Sequence, residues 1–71
     1  MPASFKLEVL GRYRARHSGN ENAVTANMQA SNDEEHFVYA GTVTMTESQF
    51  ETFVAALRDG LDGRVEVEDR P

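Results

Sequence analysis

One segment of the chain has helical periodicity, and it limits the fold to a single helix among strands. The segment is residues 44–60, TMTESQFETFVAALRDG, within a chain of 71 residues. Thr46 and Gln49 have the spacing of a capping box, in which each side chain bonds the backbone amide of the other residue. We predict a helix that starts after Thr46, ends at Asp59 and is stopped by Gly60. The apolar residues that recur along one side of it are Phe50, Phe53, Val54, Leu57 and Leu61.

The rest of the chain alternates between polar and apolar residues with period two, which predicts strands with one buried face. Turn-forming residues in HSGNEN, NDEE and GLDG help to divide it into four such segments, at about 5–16, 23–31, 36–45 and 64–69. Gly41 in the third segment predicts a bulge or a point of close packing. The side chains assigned to the buried face are Phe5, Leu7, Val9, Gly11, Tyr13, Ala15, Val24, Ala26, Met28, Ala30, Phe37, Tyr39, Val43, Met45, Val65 and Val67.

These segments predict a small α+β domain, a two-layer sandwich of element order β-β-β-α-β. The first three strands are joined by short turns, so we expect an antiparallel meander with the helix packed on one face of the sheet. The last strand pairs either beside the first strand or at the other edge. We expect one compact domain over residues 1–71, with residues 1–4 and 69–71 disordered.

The sheet face away from the helix receives mainly polar side chains in this arrangement. A small apolar patch of Leu10, Val38 and Ala40 is predicted within it, and such a patch or an open strand edge suits a protein contact or a homodimer. The residues assigned to this face are Lys6, Glu8, Leu10, Arg12, Arg14, Arg16, Thr25, Asn27, Gln29, Ser31, His36, Val38, Ala40, Thr42 and Thr44.

Charge is distributed unevenly along the chain, which has a net charge of −5. Residues 1–32 carry four cations and two acids, whereas residues 33–71 carry three cations and ten acids. Acids of this kind either confer solubility or steer the protein to a basic partner, in the extreme by imitating the phosphates of DNA. The candidate acidic partner-binding residues are Asp59, Asp62, Glu66, Glu68 and Asp69.

The motif RYRAR gives a second candidate surface, because alternation places Arg12, Arg14 and Arg16 on one face of a strand. Three guanidinium groups in a row suit carboxylates or phosphates. The acidic total charge and the inward assignment of Tyr13 disfavour direct nucleic-acid binding, so a protein or self contact is the preferred interpretation.

Candidates for catalysis or metal binding are few. The chain has no cysteine and only two histidines, His17 and His36. His17 has no serine or acid placed by spacing to work with it. The run from Asp33 to His36 lacks the spacing of a calcium loop or a helical zinc pair, and is typical of a solvated turn. We predict no enzyme activity and no catalytic, cofactor or metal site.

The amino-terminal residues alternate charged with apolar side chains instead of forming a signal peptide, and no segment approaches a membrane span, which predicts a cytoplasmic protein. In size, charge and a single sheet with one helix, the chain resembles in type the accessory proteins of phages and mobile elements, including anti-CRISPR inhibitors. That resemblance implies a small inhibitory protein that covers a surface of a protein partner, such as a nucleic-acid-binding protein. The alternatives are a homo-oligomeric structural protein assembled through the open sheet face, and a weak nucleic-acid binder using the three arginines.

Overall fold

Four strands and one helix make up the fold in the computed structural model, which describes residues 3–14, 22–62 and 64–70. The predicted order β-β-β-α-β and the α+β class are confirmed. The elements are β1 (Ser4–Arg14), β2 (Asn22–Ser31), β3 (Val38–Thr46), α1 (Glu47–Gly60) and β4 (Val65–Asp69).

The strands form one mixed sheet in the order β3-β2-β1-β4. The first three strands pair antiparallel with their neighbours, which confirms the meander. The last strand pairs parallel to β1, with Phe5 opposite Val65 and Leu7 opposite Val67. Of the two positions that the sequence left open for β4, the structure has the one beside β1. Because α1 connects β3 to β4, it leads the chain from one edge of the sheet to the other.

The core lies between α1 and one face of the sheet. Leu7 and Val24 are its largest fully buried side chains, and Phe50 and Val54 are the buried residues of the helix. The apolar stripe predicted for the helix is therefore confirmed, since its other members pack around this core. The residues that pack against the core while partly exposed are Phe5, Met28, Val43, Met45, Phe53, Leu57, Leu61 and Val67.

The helix begins as predicted but ends later. The Gln49 amide donates to Thr46 Oγ1 at 3.2 Å, and the Thr46 amide donates to Gln49 Oε1 at 3.0 Å, which confirms the capping box. Gly60 was predicted to stop the helix, which is wrong, because it is still helical and Leu61 is the C-cap. Among the described residues of the reversal, Asp62 has a positive φ of 52°, a conformation that aspartate tolerates better than most residues.

A bulge in β1 inverts the alternation of side chains. Val9 pairs with Ala26 and Gly11 with Thr25, so Leu10 is an extra residue in this strand. Beyond it, Arg12 pairs with core residue Val24 and lies on the helix side of the sheet. The outward assignments of Arg12 and Arg14 and the inward assignments of Gly11 and Tyr13 are therefore wrong.

A second bulge, in β3, has the same effect. Met28 pairs with Gly41 and Gln29 with Tyr39, so Ala40 is the extra residue, and Gly41 has a φ of 134°. Of the two alternatives predicted at Gly41, a bulge or a point of close packing, the structure has the bulge. Inward placement of Tyr39 is wrong, because alternation does not continue unchanged across a bulge.

The predicted apolar patch of Leu10, Val38 and Ala40 does not form as one group on the face away from the helix. Leu10 and Ala40 are the extra residues of the two bulges, and Val38 pairs with Ala30, whose side of β2 faces the helix. The inward assignment of Phe37 is also wrong, since Lys6, on the opposite face from Leu7, lies over its ring.

Candidate interaction surfaces

The face of the sheet opposite α1 carries hydroxyl, amide and charged side chains, and we call it the polar face. Strand alternation and the two bulges define its members. They are Lys6, Glu8, Gly11, Tyr13, Thr25, Asn27, Gln29, Tyr39, Thr42, Thr44, Glu66 and Glu68.

Hydrogen bonds between side chains hold part of the polar face in place. The Tyr39 hydroxyl lies 2.5 Å from Thr42 Oγ1, which donates to Asn27 Oδ1 at 2.7 Å. The hydroxyls of Thr25 and Thr44 lie 3.0 Å apart on neighbouring strands. These bonds restrict the rotamers of five exposed or half-exposed side chains, so the surface is ordered before anything binds to it.

Two tyrosine rings stand on the polar face. Tyr39 is 65% exposed and Tyr13, which pairs with Ala23, is 50% exposed. The sequence-based assignment placed both inward. Gly41 was the available signal for Tyr39, because a bulge at a glycine reverses the faces of all residues before it in the strand.

Arg12 lies between two acids on the helix side of the sheet. Its Nε atom is 3.1 Å from Glu47 Oε1, and its Nη1 atom is 2.7 Å from Asp69 Oδ1. The hydrogen bond with Asp69 raises the pKa of Arg12, and the charge of Glu47 adds to this effect. All three side chains remain partly exposed, so the cluster joins the start of α1 to the end of β4 at the surface.

The predicted arginine stripe is only partly within the described residues. Arg14 follows Arg12 by two positions in β1 and so shares its side of the strand, and it is exposed. Arg16 lies outside the residues that the structure describes. The two described arginines are therefore on the helix side, and Arg12 is engaged within the fold.

The acids of β4 are divided between the two faces. Glu66 and Glu68 lie on the polar face, opposite Lys6 and Glu8 of β1. Asp69 lies on the other face, where Arg12 binds it. Of the predicted acidic set, the structure places Glu66 and Glu68 together on one surface and separates Asp69 from them.

The other two predicted acids lie at the end of the helix. Asp59 is exposed in the last turn of α1, and Asp62 is exposed in the reversal that follows. The Oδ2 atom of Asp62 is 4.0 Å from Arg64 Nη2, at the limit of an ion pair. These acids add negative charge at the end of α1 and do not continue the row on β4.

The turn before β3 is organised by Asp33. Its carboxylate accepts hydrogen bonds from the Ser31 hydroxyl, the amides of Glu35 and His36, and Nδ1 of His36, at distances of 2.7 to 2.9 Å. The bonds from His36 hold the pKa of Asp33 far below its usual range. In a catalytic triad the imidazole lies between the hydroxyl and the carboxylate. In this turn the order differs, because the carboxylate of Asp33 lies between the Ser31 hydroxyl and the His36 imidazole. The hydrogen bonds to Asp33 are therefore arranged to cap the loop before β3.

The same loop packs over one end of the polar face. The Lys6 ammonium lies 4.4 Å from the centre of the Phe37 ring, within the range of a cation–π contact. Ser4 and Ser31, which pair across β1 and β2 at this end, are buried. An open groove beside Phe37 and Lys6 carries charges of both signs, with Glu34 and Arg64 also in its lining.

Metal-ligating side chains do not gather anywhere in residues 3–14, 22–62 and 64–70, where no three histidines or acids are close enough to hold an ion. His17 lies outside these ranges. Over the same part of the chain, no helix is long and apolar enough to cross a membrane. Comparison with protein-family models, curated proteins and solved structures gave no significant match.

Proposed function

We propose that this protein is a non-enzymatic binding module that covers the surface of a protein partner with its polar face. The observation that carries the proposal is the ring of Tyr39, which is 65% exposed while its hydroxyl is held by Thr42. An aromatic ring costs free energy when water surrounds it, and a tyrosine presented in this way is a common anchor of protein interfaces.

The surroundings of Tyr39 support a protein partner. Tyr13 provides a second exposed ring on the same face, and threonine, asparagine and glutamine side chains between the strands offer donors and acceptors of hydrogen bonds. Tyrosine with small polar residues is the composition of many protein-binding surfaces. Because hydrogen bonds already order Thr42 and Asn27, binding loses less side-chain entropy than it would on a flexible surface.

The negative charges of Glu66 and Glu68 favour a partner with a positively charged surface. They lie at the β4 side of the polar face, so a partner with a basic surface, as nucleic-acid-binding proteins have, is attracted to this side. Asp69 does not belong to this group, because Arg12 already compensates its charge. The proposed setting is the cytoplasm, where covering a working surface of the partner inhibits it.

The test compares the wild-type protein with two variants and one control variant in pull-downs from native host extract, followed by affinity measurements on the captured protein. We expect one partner whose capture survives nuclease treatment. Tyr39→Ala removes the anchor and is expected to weaken binding about tenfold or more. The double variant Glu66→Lys and Glu68→Lys is expected to slow association, with the largest effect at low salt.

Thr52→Ala is the matched control, because Thr52 is exposed on α1, away from the polar face. It is expected to bind as the wild type does. Equal affinity of wild type and Tyr39→Ala would overturn the proposed face, and loss of the partner on nuclease treatment would instead support the nucleic-acid alternative. Circular dichroism of each variant verifies that the fold is retained.

A further inference from the structure

The two edges of the sheet differ sharply in charge. Three of the five residues of β4 are acids, which protect this edge by repelling another copy. The nine residues of β3, VYAGTVTMT, include neither a charged residue nor a proline. Val38 and Tyr39 at its start are about two-thirds exposed. A neutral edge strand of this length offers backbone amides and carbonyls to another strand.

We propose that the outer edge of β3 pairs antiparallel with β3 of a second copy, about a two-fold axis perpendicular to the sheet. Such an axis keeps both helices on the same side. It therefore pairs residues of the same face, so that the threonines of one copy meet threonines of the other, and Val43 meets an apolar residue with Met45 diagonal to it. The pattern of β3 is thus complementary to itself.

The structure also favours one register. Residue 40 is the extra residue of the bulge, and the Thr46 amide is already bonded to Gln49 in the capping box. The regular segment left between them is 41–45, whose centre is Val43. In this register Val43 meets its own copy, and Thr42 of one copy lies opposite Thr44 of the other.

Charge argues for a second copy as the occupant of this edge. The chain has a net charge of −5, so two copies associate best through a surface that brings no like charges together, and β3 is that edge. Val43 and Met45, only partly buried in one copy, gain apolar neighbours on the helix side. The acidic β4 edges remain at the two ends, which stops assembly at two copies.

The dimer extends the proposed function without depending on it. Joining two four-stranded sheets edge to edge makes one continuous sheet with two polar faces side by side. Two copies of Tyr39 then face the same direction, so a partner with repeated or two-fold symmetric sites binds both, with a gain from bivalency.

The test is the mass in solution, measured by analytical ultracentrifugation from low to high micromolar concentration. We expect the wild type to approach twice the mass of the 71-residue chain as concentration rises. Thr42→Lys with Thr44→Lys places like charges opposite each other in both symmetric pairs and is expected to weaken dimerisation about tenfold or more. Thr42→Glu with Thr44→Lys places opposite charges there and is expected to retain the dimer.

The two variants are matched, since each loses the same threonine hydroxyls, and circular dichroism verifies the fold of both. A wild type that stays monomeric would overturn the proposal and leave the edge to a different partner. Equal behaviour of the two double variants would overturn the pairing of Thr42 with Thr44. Because Tyr39 lies outside 41–45, Tyr39→Ala is expected to remain dimeric, so a failure of the dimer and a failure of the proposed function are distinguishable.

Discussion

Arg12 and Asp69, which are 57 positions apart in the sequence, are joined by a hydrogen bond of 2.7 Å between Nη1 and Oδ1. The same guanidinium reaches Glu47 at the start of the helix. The contact connects β1, α1 and β4, and it depends on the bulge at Leu10, which turns Arg12 to the helix side. The one extra residue of the bulge thus decides whether the Arg12 side chain forms ion pairs on the helix side or lies on the polar face.

Removing the Arg12 guanidinium should destabilise the fold modestly. For Arg12→Ala we expect a loss of about 1 kcal/mol in the free energy of unfolding, the upper range for a partly exposed ion pair. Chemical denaturation at low and high salt measures it, and the difference from wild type should shrink at high salt. Arg12→Lys, which retains the charge but not the planar fork, should fall between the two. An identical free energy for all three proteins would contradict a stabilising role.

The two bulge regions should respond differently to the same substitution. Gly41 has a φ of 134°, and a Cβ added there would lie 3.7 Å from Met28 Cε, so Gly41→Ala is strained by its backbone more than by crowding. We expect it to cost about 1 to 3 kcal/mol. Gly11→Ala, at a position with open space around the added Cβ, should be close to neutral. Thermal unfolding of both variants checks this, and a similar cost at the two sites would refute it.

Two leucines three positions apart in β1 should differ in their contribution to the core. Leu7 is fully buried, whereas Leu10, the extra residue of the bulge, is half-buried. Leu7→Ala should cost about 3 kcal/mol or more, because it leaves a cavity under the helix, and Leu10→Ala about 1 kcal/mol. Urea denaturation gives both values. The reverse order would place the core elsewhere than between α1 and β1.

The turn capped by Asp33 should give stability a dependence on acid pH. The pKa of Asp33 is lowered in the fold, so its contribution is complete above the unfolded value of about 4 and is lost as pH falls toward the folded value. We expect Asp33→Asn to lower the Tm at pH 7, because a neutral amide oxygen accepts these hydrogen bonds more weakly than a carboxylate does. The gap from wild type should narrow as the pH falls below about 4.

Glu35→Gln provides the control for this pH series. It removes a neighbouring negative charge while keeping the backbone amide that donates to Asp33. Its Tm should follow that of the wild type at each pH. A constant gap between wild type and Asp33→Asn from neutral to acid pH would show that the carboxylate charge is not the stabilising feature.

Local patterns predicted the parts of this fold that depend on local chemistry. The helix start follows from Thr46 and Gln49, and the apolar stripe follows from a spacing of three and four residues. Both signals are contained within a few turns of the helix itself. The position of β4 depends on its pairing with residues 60 positions earlier in the chain, and the local pattern of β4 does not indicate which strand it pairs with. The sequence therefore left two positions open for it.

The polar face was harder to predict because the direction of each side chain is counted from the residue before it, so one irregularity affects the rest of the strand. Each bulge inserts one extra residue into the strand, so every residue beyond it lies on the face opposite to the one that simple alternation predicts. Arg12 and Tyr39 were misplaced for this reason. A glycine follows the extra residue in both bulges, Gly11 after Leu10 and Gly41 after Ala40, but a glycine alone does not indicate that the residues on one side of it change face.

The parallel pairing of β1 with β4 has a consequence for the route by which the chain folds. The meander of β1, β2 and β3 forms from contacts close in sequence, whereas β4 joins only after the chain has closed a loop of about 60 residues. Until then the sheet has bare edges at both β1 and β3. A sheet that lacks β4 is therefore open to another chain at β1 as well as at β3, and the three acids of β4 protect the β1 side once it has paired, while β3 remains the open edge.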